Sequence, residues 1–433
     1  MDHLRVLQDS IDYIEDNLKT NIRAEELAQM ASFSLFHYYR LFQSATGTSV
    51  MQYILRRRLL HAIYEIHQGR RKIEAAMDYG FDTYAGFYKA FQREFGCTPS
   101  VFLQANRAKK PYRLNLMKEE HMIVTHKKAS EVLSHWNLET QVVSDIYFDG
   151  TGGRNENAFY IGDTYILKYT ANLGKLKKHI TVSRALEQAG LYAATAIPTA
   201  DGKEYIADGE LFFFLTRRLP GSQIVPGQLL ESNPLRSGCF IGEIIGQLHL
   251  ALADMDLPVR EADLFATVKD WALPNAKAVL GWDETDCKAY LDTFSAGYPQ
   301  LPRQIIHRDP NPGNIIHSEG KWGFIDFELS ERNARIYDPC YAATAILSEI
   351  FNSADDAMLD SWLHLYRGII MGYHSVIHLT EAEQKAVPCL ILANQLVCIA
   401  WFAENPKYAE LLDINKRMTL WLTAHMDALK IEL

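Results

Sequence analysis

The run Ile305-Ile-His307-Arg308-Asp309-Pro-Asn-Pro-Gly-Asn314-Ile-Ile sets polar side chains between apolar ends, and Trp322-Gly-Phe-Ile-Asp326-Phe-Glu328 follows it. Carboxylates among isoleucine and phenylalanine are costly unless paired, hydrogen-bonded or metal-bound. Their types and spacing suit phosphoryl transfer. Asp309 would stand beside an attacking hydroxyl, while Asn314 and Asp326 offer oxygen ligands for Mg2+ on nucleotide phosphates. The five-residue step from Asp309 to Asn314 lets one loop serve both tasks. His307 reads as a brace for that loop rather than as a base. Lys168, within Tyr165-Ile-Leu-Lys-Tyr169, is the candidate cation for the α- and β-phosphates; the plainer alternative is an outward-facing strand lysine. Asp149-Gly-Thr-Gly-Gly-Arg-Asn-Glu-Asn157 could turn backbone N–H groups toward phosphate, or be a hairpin turn and nothing more. The six cysteines (97, 239, 287, 340, 389 and 398) are scattered singly, and no His/Cys set has zinc-ligand spacing.

The elements around these residues change character along the chain. From about residue 118 the pattern is strands, then long helices. Val142 to Phe148, Ala158 to Ile161, Tyr165 to Tyr169 and Leu211 to Thr216 are β-branched or aromatic runs bounded by Gly, Asp or Asn. The first hundred residues instead read as all helix. Leu4, Leu7, Ile11, Ile14 and Leu18 form one amphipathic stripe. Ser34 to Gly47 then aligns with Thr83 to Gly96 at an offset of 49, with Tyr39/Tyr88, Phe42/Phe91, Gln43/Gln92 and Gly47/Gly96 identical and Arg40/Lys89 keeping the charge. Each copy follows a short apolar helix (25–31, 74–79) and a tight turn, which makes two helix-turn-helix units. The helix joining them, Val50 to His67, carries Arg56, Arg57 and Arg58. Phe33, Phe42, Phe81 and Phe91 occupy the buried phase. Tyr39, Arg40, Tyr88 and Lys89 recur at one phase in both copies, for which core packing and contact with a DNA major groove both stay open on spacing alone.

Bulk charge hides this division. The 433 residues carry a net −9, which taken whole disfavours nucleic acid. Residues 1–110 hold 15 Lys and Arg against 12 Asp and Glu, and the remaining 323 hold 29 against 41. The polar, basic stretch Ala105 to Asn115 lies at the change of sign and reads as a linker. Domains are therefore expected at 1–108, with a linker at 109–120, and at 121–433, with a small lobe to about 220 and a large lobe beyond. At 48% hydrophobic and 22% charged, global disorder is excluded. The apolar stretch Leu390 to Ala403 reads as too short to span a bilayer, and the N-terminus lacks a signal core. A cytoplasmic protein with free thiols and no membrane partner is expected.

Phe33-Ser34, Arg40-Leu-Phe-Gln, Arg58-Leu-Leu-His-Ala62, Tyr79-Gly-Phe-Asp-Thr and Phe95-Gly-Cys-Thr-Pro-Ser-Val-Phe102 resemble the AraC/XylS-type DNA-binding domain over about residues 5–105. The resemblance implies double-stranded DNA as a partner. It places Phe36, Tyr39, Arg40 and Arg58 at the DNA from the first unit and linking helix, and Tyr84, Ala85, Tyr88 and Lys89 from the second. The segment is N-terminal here, whereas relatives commonly carry it at the C-terminus.

Gly152-Gly153 with Asn157, Tyr165-Ile-Leu-Lys168, Ile244-Ile-Gly-Gln-Leu-His249, His307-Arg-Asp with Asn314, Ile325-Asp-Phe-Glu328 and Tyr337-Asp-Pro339 resemble, in order, the aminoglycoside phosphotransferase/choline kinase family. That resemblance implies a two-lobed, α+β protein-kinase-like fold after the all-α segment. It also implies ATP, Mg2+ and transfer to a small-molecule hydroxyl, with Asp338 supporting the catalytic loop. Arg308 replaces the family's usual glycine, and the family's helix glutamate falls by register near His179, with Glu187 two turns on. Only 11 residues separate Asp326 from Asp338, too few for an ordinary activation loop, so a protein kinase is the weaker reading. Glu331, Asp355, Asp356 and Glu404 would suit a cationic acceptor, or form a solvated acidic face. The whole reads as a DNA-binding transcriptional regulator fused to a small-molecule kinase domain. A ligand-sensing pseudokinase, or a phosphotransferase with a vestigial DNA module, are the alternatives. Acceptor, operator and oligomeric state stay open.

Overall fold

The computed structural model describes residues 3–105, 107–108, 110–111, 113–116, 123–147, 154–253, 255, 259–318, 320–405 and 408–433. The chain forms two compact units, 1–173 with 196–218 and 174–195 with 219–433.

The first unit begins with seven helices: α1 (His3–Asp16), α2 (Ala24–Met30), α3 (Leu35–Thr46), α4 (Val50–His67), α5 (Lys72–Asp78), α6 (Tyr84–Phe95) and α7 (Pro99–Gln104). The 49-residue repeat is visible in their capping. Ser34 and Thr83 accept from the backbone N–H groups of His37 and Gly86, capping α3 and α6. Gly47 and Gly96 end those helices in the left-handed region, at φ 76° and 68°. Buried Leu7, Ile11, Ile14, Tyr38, Phe42, Ile63, Phe87 and Phe91 share one core. Phe33 and Phe81, expected in the buried phase, pack against it while half-exposed. Leu114 and Leu116, in the expected linker, also pack there; the Gln8 side chain donates to the Leu114 carbonyl (2.9 Å) and accepts from Leu116 N–H (2.7 Å).

Charges inside this core form fixed pairs. Arg57 donates to both carboxylate oxygens of Glu15, 42 residues away, at 2.6 and 2.9 Å. Burial works against ionisation of Glu15, but hydrogen bonds from His61, Arg57 and Tyr53, with the Arg57 charge, bring its pKa down to about 2. A carboxyl depressed on folding stabilises above its unfolded pKa, and the gain is lost as pH falls through the folded value. Glu15→Gln should therefore destabilise the protein by about 1.5–3 kcal/mol at neutral pH. Its deficit relative to the parent should shrink between about pH 4.5 and 2. Denaturant titrations of both proteins across that range check this; a constant difference would refute it.

The rest of the unit is α8 (His126–Leu133) under a mainly antiparallel sheet, which begins β1 (Val143–Tyr147), β2 (Arg154–Ile161) and β3 (Tyr165–Thr170). The chain leaves as α9 (Leu173–Gln188) and β4 (Tyr192–Ala193), then returns as β5 (Ala196–Ile197), β6 (Ile206–Asp208) and β7 (Leu211–Arg217). Strand order is β1-β2-β3-β7-β5, with β6 also on β7. Val132, Trp136, Phe159, Leu167, Phe213 and Leu215 make its core.

The second unit takes in most of α9, β4, and then β8 (Ser222–Gln223), α10 (Pro234–Ala253), α11 (Leu264–Thr267), α12 (Leu273–Leu280) and α13 (Glu284–Gly297). It continues with β9 (Arg303–Ile306), β10 (Ile315–Ser318), β11 (Lys321–Phe324) and β12 (Glu331–Ala334). It closes with α14 (Tyr337–Ile350), α15 (Asp356–Val376), α16 (Glu381–Glu404) and α17 (Ala409–Ala424). One sheet runs β4-β11-β10-β8 and a second pairs β12 with β9. Helices α10 and α15 meet backbone to backbone: a Cβ on Gly242 would lie 2.0 Å from the Ile369 carbonyl oxygen. The apolar stretch at Leu390 belongs to a 24-residue helix, α16, so its length does suffice to cross a bilayer. What marks it as a core helix is burial, which covers 78% of its apolar window. The four all-polar positions Asn394, Gln395, Asn405 and Glu383 within or beside it are buried as well. All six cysteines are free thiols.

Candidate functional sites

Strand β9 delivers His307, Arg308 and Asp309 as it leaves the β9–β12 pair, whose register sets Ile306 against Glu331. The β10–β11 hairpin, with Ile315 against Phe324, brings the residue before Ile315 and the one after Ile325 to the same end. Ile325 N–H donates to the Asn314 carbonyl at 2.9 Å, so Asn314 and Asp326 sit across one hairpin mouth. The loop between them is tightly bonded. Asn311 Nδ2 donates to Asp309 Oδ1 (2.8 Å), and Asn314 Nδ2 donates to the Asp309 carbonyl (2.9 Å) and Oδ2 (3.1 Å). Burial raises the Asp309 pKa above the ordinary carboxylate value; Asn311 and Tyr341 oppose it, and the Asp326 charge adds to it.

Below this layer lies fully buried Asp338. Its carboxylate accepts from the backbone N–H groups of His307 (2.8 Å) and Arg308 (3.0 Å) and is bonded to His249 Nε2 (2.9 Å). His249 Nδ1 lies 2.9 Å from the Tyr373 hydroxyl. His307 Nδ1 faces Asp309 N–H at 3.3 Å and its Nε2 faces the Ile325 carbonyl at 3.0 Å. An acceptor at Nδ1 and a donor at Nε2 describe a neutral imidazole. His307 thus links the two loops and has no nitrogen free for a substrate proton.

Arg308 occupies the left-handed region at φ 78°, where a side chain costs of order 1–3 kcal/mol unless its surroundings over-determine it. They do. Its Nε donates to Glu331 (2.9 Å), a further nitrogen donates to the Tyr337 hydroxyl, and the guanidinium lies 4.5 Å from the Tyr337 ring centroid. A glycine would adopt this backbone freely; here an anchored arginine does. Asp326 is likewise left-handed, at φ 69° and ψ 64°.

Sequence reasoning missed Tyr341 and Cys398 beside Asp309. Tyr341 hydrogen-bonds to Asp309, and burial pushes the Cys398 thiol up to about 12, so it stays neutral beside that carboxyl. Tyr341 stands one helical turn after Asp338, which is the signal that could have found it. Three of the four acidic residues considered for an acceptor make other contacts. Glu331 holds Arg308 and Arg260, Asp355 caps α15, and Glu404 accepts from Trp271 Nε1 and Asn275.

Lys168 and Asn157 belong to the first unit, on β3 and β2, with Lys168 between Ala158 and Phe214 in the register. Lys168 is half-buried and Asn157 exposed. Gly152 and Gly153 lie outside the described residues.

On α3 and α6, Phe36, Arg40, Ala85 and Lys89 are exposed, while Tyr39, Tyr84 and Tyr88 are half-buried. Phe36 is 73% exposed, with the Arg40 guanidinium 5.8 Å from its ring centroid. Tyr84 stacks on buried Phe87 at 5.6 Å. Arg58 is occupied elsewhere: it donates to the carbonyls of Leu18 (2.9 Å) and Thr20 (2.5 Å), satisfying chain groups beyond α1. Arg56 pairs with Glu94 at 2.6 Å.

These two sites define the class: a tandem helix-turn-helix unit joined to an α+β domain with a kinase-type catalytic loop. A profile for the phosphotransferase enzyme family matches residues 150–376, and one for helix-turn-helix domains matches residues 27–105. The chain belongs to the phosphotransferase enzyme family and carries in addition a helix-turn-helix domain of the kind found in transcriptional regulators. Regulatory protein SoxS of Escherichia coli is 32% identical over 103 residues, 24% of this chain and 96% of that protein. The HTH-type transcriptional regulator YbfP of Bacillus subtilis is 32% identical over 99 residues, 23% of this chain; the chain spans about a third (34%) of that relative. The microcompartment-associated aminopropanol kinase shares the fold at a TM-score of 0.52 and 15% identity, covering 70% of this chain and 98% of that one.

Proposed function

We propose that the chain is a cytoplasmic DNA-binding regulator whose kinase-like domain transfers the γ-phosphate of ATP to a hydroxyl of a small molecule. The observation that carries this is Asp309, raised in pKa by burial and held by two amides on a loop clamped from below by Asp338. In the step proposed, the acceptor oxygen attacks the γ-phosphorus, the bond to the β-bridging oxygen breaks, and the hydroxyl proton passes to Asp309. His307 and Arg308 hold the loop. Lys168 and Asn157, with Gly152 and Gly153, would bind the nucleotide.

The donor set fits a hard divalent cation. Asn314 spends its Nδ2 on Asp309, which leaves Oδ1 as an oxygen ligand, and Asp326 supplies a carboxylate. Mg2+ bound there would neutralise charge on the phosphate oxygens. Residues 1–108 would read double-stranded DNA through α3 and α6.

A sensing role is the second reading, and the contacts of β1 favour it. Tyr147 on β1 lies under Arg107, 3.8 Å from guanidinium carbon to ring centroid, and meets Phe102 of α7 edge-on at 6.1 Å. His126 lies 3.3 Å from Asp145 on the same strand. The helix-turn-helix core and the sheet are thereby packed together, so a ligand that moves β1 would be felt by the reader.

One experiment separates the readings. The purified chain is given Mg-ATP with aminoglycosides, choline, homoserine and sugars, and DNA affinity is measured with and without nucleotide. Phosphorylated product supports the enzyme. A nucleotide-dependent DNA affinity without product, lost in Arg107→Ala, supports the sensor. Neither product nor linkage would refute both.

A further inference from the structure

We propose that Lys178 is a positioning residue for Asp326, acting from α9 on the turn that carries the carboxylate. The inference rests on the phosphotransferase reading, in which Asp326 serves the metal–nucleotide. Lys178 Nζ donates to the Glu328 carbonyl at 2.8 Å and to the Ser330 carbonyl at 2.9 Å, two and four residues beyond Asp326. Carbonyls accept only, so a cation can hold this turn and a carboxylate at the same place cannot.

The same helix also packs against the residue that follows Asp326. Its next residue on α9, His179, is buried against Phe327, with ring centroids 6.1 Å apart, and Phe327 packs in turn on His307 at 4.9 Å. Beyond α9 the chain enters β4, which pairs in parallel with β11, setting Tyr192 against Gly323 and Ala193 against Phe324. That pairing is close: a Cβ on Gly323 would lie 1.9 Å from the Tyr192 carbonyl oxygen. Strand β11 leads into Asp326 and the Lys178-bound turn leads out, so α9 and β4 bracket it. Such bracketing is what a left-handed, non-glycine backbone requires. A third hold comes from Glu331, directly after Ser330, through Arg308 and Arg260.

Removing the ammonium while keeping the stem should free two carbonyls and let the turn relax, misaiming Asp326 but leaving the apolar packing of α9. The test compares full-length wild type, Lys178→Met, Lys178→Arg and Lys177→Met, the last an exposed lysine on the same helix. Titration calorimetry gives ATP affinity as a function of Mg2+, and Tm is recorded for each. In Lys178→Met the Mg2+ concentration giving half the gain in ATP affinity should rise about tenfold with Tm little changed. Lys178→Arg should recover most of it, and Lys177→Met should match wild type. An unchanged Mg2+ midpoint in Lys178→Met, whatever its Tm, overturns the proposal. If Lys178→Met fails to fold, Lys178→Gln takes its place under the same criterion. Wild-type protein that shows no Mg2+-dependent ATP binding overturns the phosphotransferase reading, and this proposal with it.

Discussion

Asp309→Asn should abolish phosphoryl transfer, by about 10²–10⁴-fold in kcat, without weakening nucleotide binding. The substitution is nearly isosteric. Asn311 can still donate to the remaining side-chain oxygen, Asn314 keeps its bond to the residue's backbone carbonyl, and the buried Asp338–His249–Tyr373 chain below is untouched. What disappears is the carboxylate proposed to take the hydroxyl proton. Two further results should accompany the loss. The wild-type rate should fall on acidification at a pH above the ordinary aspartate range, because burial raises the Asp309 pKa. The variant should also be somewhat more stable than wild type at neutral pH. A carboxyl whose pKa rises on folding favours the native state only where it is protonated, and opposes it above the folded pKa. An amide carries no such cost. Transfer measured at saturating ATP, the pH–rate profile and Tm test the three parts. Residual transfer within threefold of wild type would remove Asp309 from its role.

What could be read in advance depended on whether partners lie close in the chain. The spacing from His307 to Asp326 is local, and the loop it describes is the loop found, because β9, β10 and β11 are each four residues and leave little freedom between them. The 49-residue repeat was legible for the same reason: caps, core phase and left-handed glycines recur within each copy. Arg58 shows the opposite case. An arginine on the helix between the two repeated units invites a DNA contact, but its acceptors are backbone carbonyls 38 and 40 residues upstream, which have no side-chain signature. Lys178 was invisible for that reason too. The linker composition concealed Leu114 and Leu116, whose i, i+2 spacing matches no helical stripe. Two-residue strands such as β4, β5 and β8 carry too few residues for a period.

Arg40→Ala combined with Lys89→Ala should reduce affinity for duplex DNA by roughly 10–100-fold and flatten its salt dependence. The two positions are equivalent in the repeat, exposed on α3 and α6, and neither enters an ion pair among the described residues. That distinguishes them from Arg56 and Arg57, whose charge is already spent on Glu94 and Glu15. A phosphate contact contributes about 0.9 to the slope of log affinity against log salt, so losing two should lower it by nearly 2. A base contact instead costs about 1–3 kcal/mol at one base pair and leaves non-specific affinity nearly unchanged. The two cases separate if binding is measured over several salt concentrations on duplexes enriched by the wild type from a random pool, and on the unenriched pool. Arg58→Ala is the internal contrast. Its guanidinium secures Leu18 and Thr20, so its loss should lower Tm and reduce binding only through the unfolded fraction. If the double variant bound both pools as wild type does while Arg58→Ala alone lost affinity at full stability, the DNA face would lie on α4 rather than on the paired helices.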